Sequence, residues 1–363
     1  MNSALEKILP LVEKPSRYTG GEYNQIVKSR AEVDTKIAFC FPDTYEIGMS
    51  NLGMRILYGI ANEMDGVWCE RVFAPWGDME DAMRKDKLEL FALESGDALK
   101  CFDIIAFTLG YELAYTNVLN MLDLAGLKVR ASQRAEADPI IIAGGTCCYN
   151  PEPMAEFIDL FIIGEGENVN SEVIRAFQSM KAQGLAKSAM LEAMAEIDGV
   201  YVPSLFDVSY NPDGTICEIT SLKNAKLPVT KRIVEDLNSA YYPVKTIVPS
   251  SEIVHDRVVL ELFRGCIRGC RFCQAGYAYR PVRSRDCKKL IENGIEALKD
   301  SGYEEVTLSS LSTSDYGDLL QLCDGLLDWC EPRKVSLSLP SLRADSFSMD
   351  VIDRKSTRLN SSH

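Results

Sequence analysis

Three cysteines, Cys266, Cys270 and Cys273, stand four and three residues apart in the run Phe263-Arg264-Gly265-Cys266-Ile267-Arg268-Gly269-Cys270-Arg271-Phe272-Cys273. Thiolates are soft ligands, and several on one loop suit an iron–sulfur cluster or zinc. Gly265 and Gly269 interleave with them and let the chain fold back, so that the sulfurs can converge. The ligand count carries information. A structural zinc site closes with four protein ligands, whereas a cubane cluster held by three cysteines leaves one iron open to a small molecule. The zinc alternative needs a fourth ligand, for which Cys287 is the candidate.

The elements that must position this loop follow from the apolar pattern. Val258–Phe263 is a short run of β-formers that ends where the cysteines begin, as a buried strand would. A second βα series continues from it. It has a helix near Lys288–Ser301, a strand Glu305–Leu308 ending in Ser309-Ser310-Leu311-Ser312-Thr313-Ser314-Asp315, a helix Leu319–Trp329, and a strand Val335–Leu339 ending in Pro340–Asp345. Upstream, short apolar runs alternate with amphipathic stretches over residues 34–200, the pattern of a parallel α/β sheet. Strands are expected at Lys36–Phe41, Val67–Phe73, Ile104–Leu109, Ile140–Ala143 and Leu160–Ile163, with helices at Asn51–Met64, Asp78–Lys85 and Ala114–Ala125. Ligands of such sheets bind beyond the carboxyl ends of the strands. Those ends carry Gly48, Thr108, Gly110, Gly144, Gly145, Gly164, Glu165 and Gly166, and glycine there permits close approach of a bulky ligand. No Gly-x-Gly-x-x-Gly follows the first strand, which argues against a nicotinamide cofactor. Residues 208–217 read as a β-hairpin with an Asn-Pro-Asp-Gly turn, and Pro228, Pro243 and Pro249 punctuate a linker over residues 201–252.

The Cys-x3-Cys-x2-Cys spacing, with aromatic Phe272 before the last cysteine, resembles the radical S-adenosylmethionine (SAM) superfamily. The strand-end Gly144-Gly145 and the run Gly164-Glu165-Gly166-Glu167 resemble the cobalamin-binding domain that precedes many radical SAM domains. From the Pro15–Tyr23 arm to Asp345 the chain is similar to a bacterial family that joins the two. The resemblance implies a [4Fe–4S] cluster on Cys266, Cys270 and Cys273, and reductive cleavage of SAM to methionine and a 5′-deoxyadenosyl radical. It also implies SAM contacts from Phe272, Ser309, Ser310, Ser338 and Arg343, and cobalamin along the glycine-lined strand ends. A surface ion pair is the alternative for Arg343. Members of some such families relay a methyl group through cobalamin. The Asp-x-His-x-x-Gly motif that ligates cobalt from below is absent here, and residues 31–200 contain no histidine. A bound cobalamin would therefore lack a histidine lower ligand from this domain, and a Rossmann-like domain that has lost cobalamin is the alternative.

The implied architecture is α/β. It comprises an arm over 1–30, a Rossmann-like cobalamin-binding-type parallel sheet over 31–200, the hairpin and linker, and over 253–352 the first half of a radical SAM partial (β/α)6 barrel. Relatives continue through the whole barrel, so an inactive N-terminal fragment is expected, its last strand an unpaired edge. Residues 353–363 resemble a translated sequencing adapter and are set aside as foreign, which leaves His255 as the only histidine. His255 reads as structural, and the vicinal Cys147-Cys148 as ordinary packing. A net charge of −14 argues against general nucleic-acid or membrane-surface binding. No run spans a bilayer, the N-terminus lacks a signal-peptide core, and scattered reduced thiols fit a cytoplasmic protein. The expected partner is an electron donor such as flavodoxin or ferredoxin. The rival from another class is a zinc-stabilised binding module beside a degenerate Rossmann-like domain. A modifier of RNA or of a ribosomal protein stays open.

Overall fold

Ile37–Phe41 and Ile140–Ala143 are apolar at every position, and strands buried on both faces read this way. The computed structural model describes residues 3–223 and 225–343, and the chain divides into two units, Met1–Ile233 and Val234–His363. Ala344, Asp345 and the adapter-like tail lie outside the described residues.

The first unit begins with α1 (Ser3–Ile8) and continues with β1 (Thr35–Phe41), α2 (Tyr45–Met49), α3 (Leu52–Asn62), β2 (Val67–Phe73) and α4 (Gly77–Asp86). Then come β3 (Ile104–Thr108), α5 (Tyr115–Leu124), β4 (Ile140–Gly144), β5 (Leu160–Ile162), α6 (Gly166–Ala182), α7 (Lys187–Met194) and β6 (Val200–Tyr201). The strands form one sheet ordered β2-β1-β3-β4-β5-β6. It is parallel except for β6, which runs antiparallel to β5. The order switches between β1 and β3, so the loops after these strands flank the crevice where such sheets take ligands.

Edge strand β2 is buried at all seven residues, Glu70 and Arg71 included. Side chains close its outer backbone. Asn62 Nδ2 donates to the Cys69 carbonyl at 2.9 Å and Asn62 Oδ1 accepts from the Cys69 amide at 3.0 Å. The Arg71 amide donates to Glu94 at 2.7 Å. An edge satisfied in this way offers no template to a foreign strand. The Arg71 guanidinium, 1% exposed, is gripped by Glu94 at 2.6 Å and by Glu22 of the N-terminal arm at 2.8 Å. Tyr45 donates its hydroxyl to Glu22 at 2.8 Å, which ties the arm to the loop after β1. The arm therefore places a carboxylate inside the protein. Burial pushes the Glu22 carboxyl up, but the Arg71 guanidinium outweighs it and holds Glu22 below the usual value; at Glu94 burial prevails and the value is raised.

β7 (Phe206–Tyr210) and β8 (Ile216–Ser221) form the expected hairpin, and it belongs to the first unit. The second unit starts at Val234 rather than at 253. Tyr242 and Val248 pack on its core, and the Tyr242 hydroxyl donates to the Val259 carbonyl at 2.9 Å, so the part of the expected linker from residue 234 on, with Pro243 and Pro249, belongs to this unit, while Pro228 belongs to the first. Its elements are β9 (Val258–Glu261), β10 (Phe263–Arg264), α8 (Ala275–Ala278), β11 (Arg283–Ser284), α9 (Cys287–Ser301), β12 (Glu305–Ser309), α10 (Leu319–Cys330) and β13 (Ser336–Ser338). The parallel sheet is ordered β13-β12-β9, two βα crossovers in succession. Asp286 caps α9 by accepting from the Lys289 amide, and Gly302 ends it in the left-handed region. Among the described residues no helix is long and apolar enough to cross a membrane.

Candidate functional site

The cysteine loop leaves the carboxyl end of β9 and is pinched shut at its base. The two-residue ladder of β10 and β11 pairs Phe263 with Ser284 and Arg264 with Arg283, which isolates residues 265–282 as one closed excursion. Gly265 sits at φ +90°, and a Cβ there would lie 2.8 Å from the Pro281 carbonyl oxygen and 2.9 Å from that of Tyr279. Only glycine lets the two sides of the base approach so closely. Cys266 and Cys273 are half-buried, Cys270 is exposed, and the Cys273 amide donates to the Cys270 carbonyl at 3.1 Å in a tight turn. Among the described residues no three His, Cys, Asp or Glu side chains are gathered in a metal-binding arrangement, so the sulfurs share a loop without sharing a coordination sphere.

The donor set nevertheless fits an iron–sulfur cluster. It offers three thiols and no acidic residue between Arg264 and Arg285, on a loop closed at its base with Cys270 open to solvent. Other cysteines are poorer donors. Burial raises the thiols of Cys40, Cys69 and Cys148, and pushes Cys330 up to about 11. Cys287 lies beyond β11 at the start of α9, buried, its thiol raised by that burial and by Asp318 and Asp286. It is not part of the loop.

Four arginines around the cysteines are anchored outside the loop or on its own backbone. Arg264 donates to Glu261 at 2.9 and 3.0 Å, and buried Arg285 lies 3.5 Å from the same carboxylate. Arg283 donates to the carbonyls of Val234 at 2.5 Å and Pro281 at 3.1 Å. Arg268 reaches Asp315 at 3.2 Å. Of the residues expected to contact SAM, Phe272 is 92% exposed beside Cys273. Ser309 is half-buried at the end of β12 and its carbonyl accepts from the Leu262 amide at 2.9 Å. Ser310 Oγ lies 3.1 Å from Thr313 Oγ1, and Ser338 is half-buried at the end of β13. Arg343 Nη1 donates to both oxygens of Asp315, at 2.9 and 2.8 Å, so the ion-pair alternative is the arrangement seen. Asp315 and Glu261 were not singled out by sequence reasoning. Glu261 ends β9 and Asp315 closes the turn after β12, but their partners are set by loop geometry rather than spacing.

In the first unit seven of the eight expected cobalamin-site residues lie at or just past the carboxyl ends of β3, β4 and β5, and Gly48 lies in α2, the helix after β1. Several of the glycines have neighbours from their own chain. A Cβ at Gly48 would meet the Phe73 ring at 2.2 Å. Gly145, at φ +113°, is packed on the Leu109 carbonyl, and Gly164, at φ +108°, on Arg232, whose carbonyl accepts from the Glu165 amide. Gly166 opens α6 against Asn170. Gly110 has open space, and Gly144 meets only ordinary contact with Ile162 at 3.9 Å. Thr108 is half-buried at the end of β3. Across the switch point the Tyr111 hydroxyl donates to Asp43, and burial together with that carboxylate pushes the phenol up to about 12. Cys147 and Cys148 pack into the core, as expected of ordinary packing, and exposed His255 lies 2.7 Å from Arg257 Nη2.

Residues 53–203, from α3 to just past β6, match the family described as radical SAM proteins, N-terminal. The chain is 28% identical over 320 residues to an uncharacterized protein of Methanocaldococcus jannaschii, covering 87% of this chain and 57% of that one. It is also 28% identical over 116 residues, 30% of this chain and 25% of the relative, to threonylcarbamoyladenosine tRNA methylthiotransferase MtaB of Bacillus subtilis. Among solved structures it is similar to the radical SAM methyltransferase TsrM of Kitasatospora setae, determined with cobalamin and a [4Fe–4S] cluster bound. That match has a TM-score of 0.51 at 11% identity, covering 88% of this chain and 57% of TsrM. The chain thus spans little more than half the length of these two longer matches. The family match over residues 53–203 and the cysteine triplet that follows it in the chain both point to the radical SAM proteins.

Proposed function

We propose that the chain binds a [4Fe–4S] cluster through Cys266, Cys270 and Cys273 and uses it to cleave SAM reductively. The observation that carries this reading is a three-thiol loop, bent at Gly265 and closed by β10 and β11, at the carboxyl end of the first strand of a parallel βα series. When bound, the cluster supplies one electron to SAM and yields methionine and a 5′-deoxyadenosyl radical. Cys266, Cys270 and Cys273 would hold the cluster by thiolate, with no fourth protein ligand in the loop. Phe272 is free to cover the adenine, and Ser309, Ser310 and Ser338 offer polar groups at the ends of β12 and β13. We read the second unit as the first half of a partial (β/α)6 barrel.

The first unit is proposed to take cobalamin along the crevice between β1 and β3, where Gly110 is open, without a histidine beneath the cobalt. Cobalamin there would supply a methyl carrier. Methyl transfer by TsrM and methylthio transfer by MtaB support transfer of a methyl-bearing group as the reaction class. A reducing cytoplasm and a flavodoxin- or ferredoxin-type electron donor complete the proposal.

Anaerobic reconstitution of this chain with iron and sulfide tests it. Expected are about four irons and four sulfides per chain and a broad brown visible absorbance, with 5′-deoxyadenosine from SAM after chemical reduction expected of a chain that carries the whole barrel. A colourless chain that retains one zinc would support the binding-module reading instead.

A further inference from the structure

We propose that Asp315 is a positioning residue for the cysteine loop, a single carboxylate that joins the segments following all three strands of the second unit's sheet. The proposal rests on the cluster reading above. Asp315 ends the short turn Thr313–Asp315 after β12. Its Oδ1 accepts at 3.2 Å from Arg268, which stands between Cys266 and Cys270 in the excursion that follows β9. The same carboxylate accepts from Arg343, after β13, at 2.9 and 2.8 Å. Two more bonds brace the junction: the Thr313 amide donates to the Ser341 carbonyl at 3.2 Å, and the Arg343 amide to Ser314 Oγ at 3.4 Å.

The loop contains no acidic residue between Arg264 and Arg285, so a carboxylate anchor for Arg268 has to come from outside it. Asp315 is 16% exposed, which screens the contact less than at an open surface. With the base pinned by β10 and β11 and Arg268 tied to Asp315, the freedom left to the thiols is concentrated in the turn from Gly269 to Cys273. Asp315 touches neither cluster nor substrate; it acts through Arg268.

Trypsin cleavage after Arg271 in the metal-free chain reads this latch without any cluster. In Asp315→Asn and in Arg268→Gln cleavage should be about fivefold faster than in the parent, about 1 kcal/mol of local opening at 1.4 kcal/mol per tenfold. The double variant should gain nothing beyond Asp315→Asn, because that change already breaks the contact that Arg268→Gln removes. Asp315→Glu should recover much of the parent rate, and cleavage within residues 1–233 should not change. Arg268→Gln lies on an exposed loop and keeps the test usable should Asp315→Asn disturb the fold. After reconstitution, Asp315→Asn should bind less iron than the parent and give an altered electron paramagnetic resonance (EPR) spectrum of the reduced cluster. Parent-like cleavage in both single variants, or additive effects in the double variant, overturns the latch. A loaded parent beside an equally loaded, spectrally identical Asp315→Asn overturns the positioning role alone. A parent that takes up no iron overturns the cluster reading, and the positioning role with it, whatever the cleavage rates.

Discussion

The cysteine loop of the second unit and the strand ends of the first both use glycine, but against different neighbours. In the loop, Gly265 lets two stretches of backbone cross at the base, leaving the thiols outside the crossing. At the strand ends, Gly48, Gly145 and Gly164 are filled by Phe73, Leu109 and Arg232, and Gly110 alone of the six has nothing within 4 Å. A cysteine triplet names its chemistry through the atoms it carries. A glycine carries only space, and that space belongs to whatever occupies it, which in a folded chain is often the chain itself.

This contrast can be broken or sharpened by substitution. The largest effect is expected in the loop: Cys270→Ala should abolish iron uptake on reconstitution while Cys287→Ala keeps it, measured as iron and sulfide per chain. Next is Gly164→Ala, which puts a Cβ 2.2 Å from a backbone oxygen at φ +108°. It should cost the first unit about 2–4 kcal/mol, read by chemical denaturation. A cost near zero would mean that this strand end yields easily and that the glycine was kept for a ligand.

A smaller effect concerns the buried pair that ties down the arm. Glu22→Gln should cost about 1–3 kcal/mol at neutral pH. Glu22 is held below its usual value, so its contribution is complete above about pH 4.3 and is lost as the pH falls through its depressed folded value. Glu94, raised by burial, has the opposite sign, so the Glu22 part is the difference between the parent and variant curves of stability against pH. Parallel curves would show that Glu22 is not depressed. The smallest effect on stability belongs to Gly110→Ala, within about 0.5 kcal/mol, yet it should weaken cobalamin binding in equilibrium dialysis. Unchanged affinity would remove Gly110 from the proposed crevice.

What could be read in the residues, and what could not, follows the range of the interactions. The strands Lys36–Phe41, Val67–Phe73 and Ile140–Ala143 declared themselves by local apolar runs, and the series after the cysteines fell where the period placed it. The hairpin's Asn-Pro-Asp-Gly turn is likewise local: the Asn211 amide donates to the Thr215 carbonyl at 2.8 Å, with Gly214 at φ +84°. The Glu22–Arg71 pair joins residues 49 apart, and Arg268–Asp315 residues 47 apart, so neither leaves a periodic trace. The prolines at 228, 243 and 249 mark bends, but bends do not reveal that Tyr242 and Val248 lie on the second unit's core. Helices α6 and α7 and the short antiparallel β6 also escaped. β6 has two residues, too few for any alternation to show.

The central claim is that three thiols hold a cluster with one iron open to SAM. EPR of the reduced, reconstituted chain with and without SAM tests it most directly. The account predicts that SAM shifts the spectrum in the parent and equally in Cys287→Ala. A spectrum indifferent to SAM in the parent, with loss of the cluster in Cys287→Ala, would show a closed four-cysteine site and contradict it.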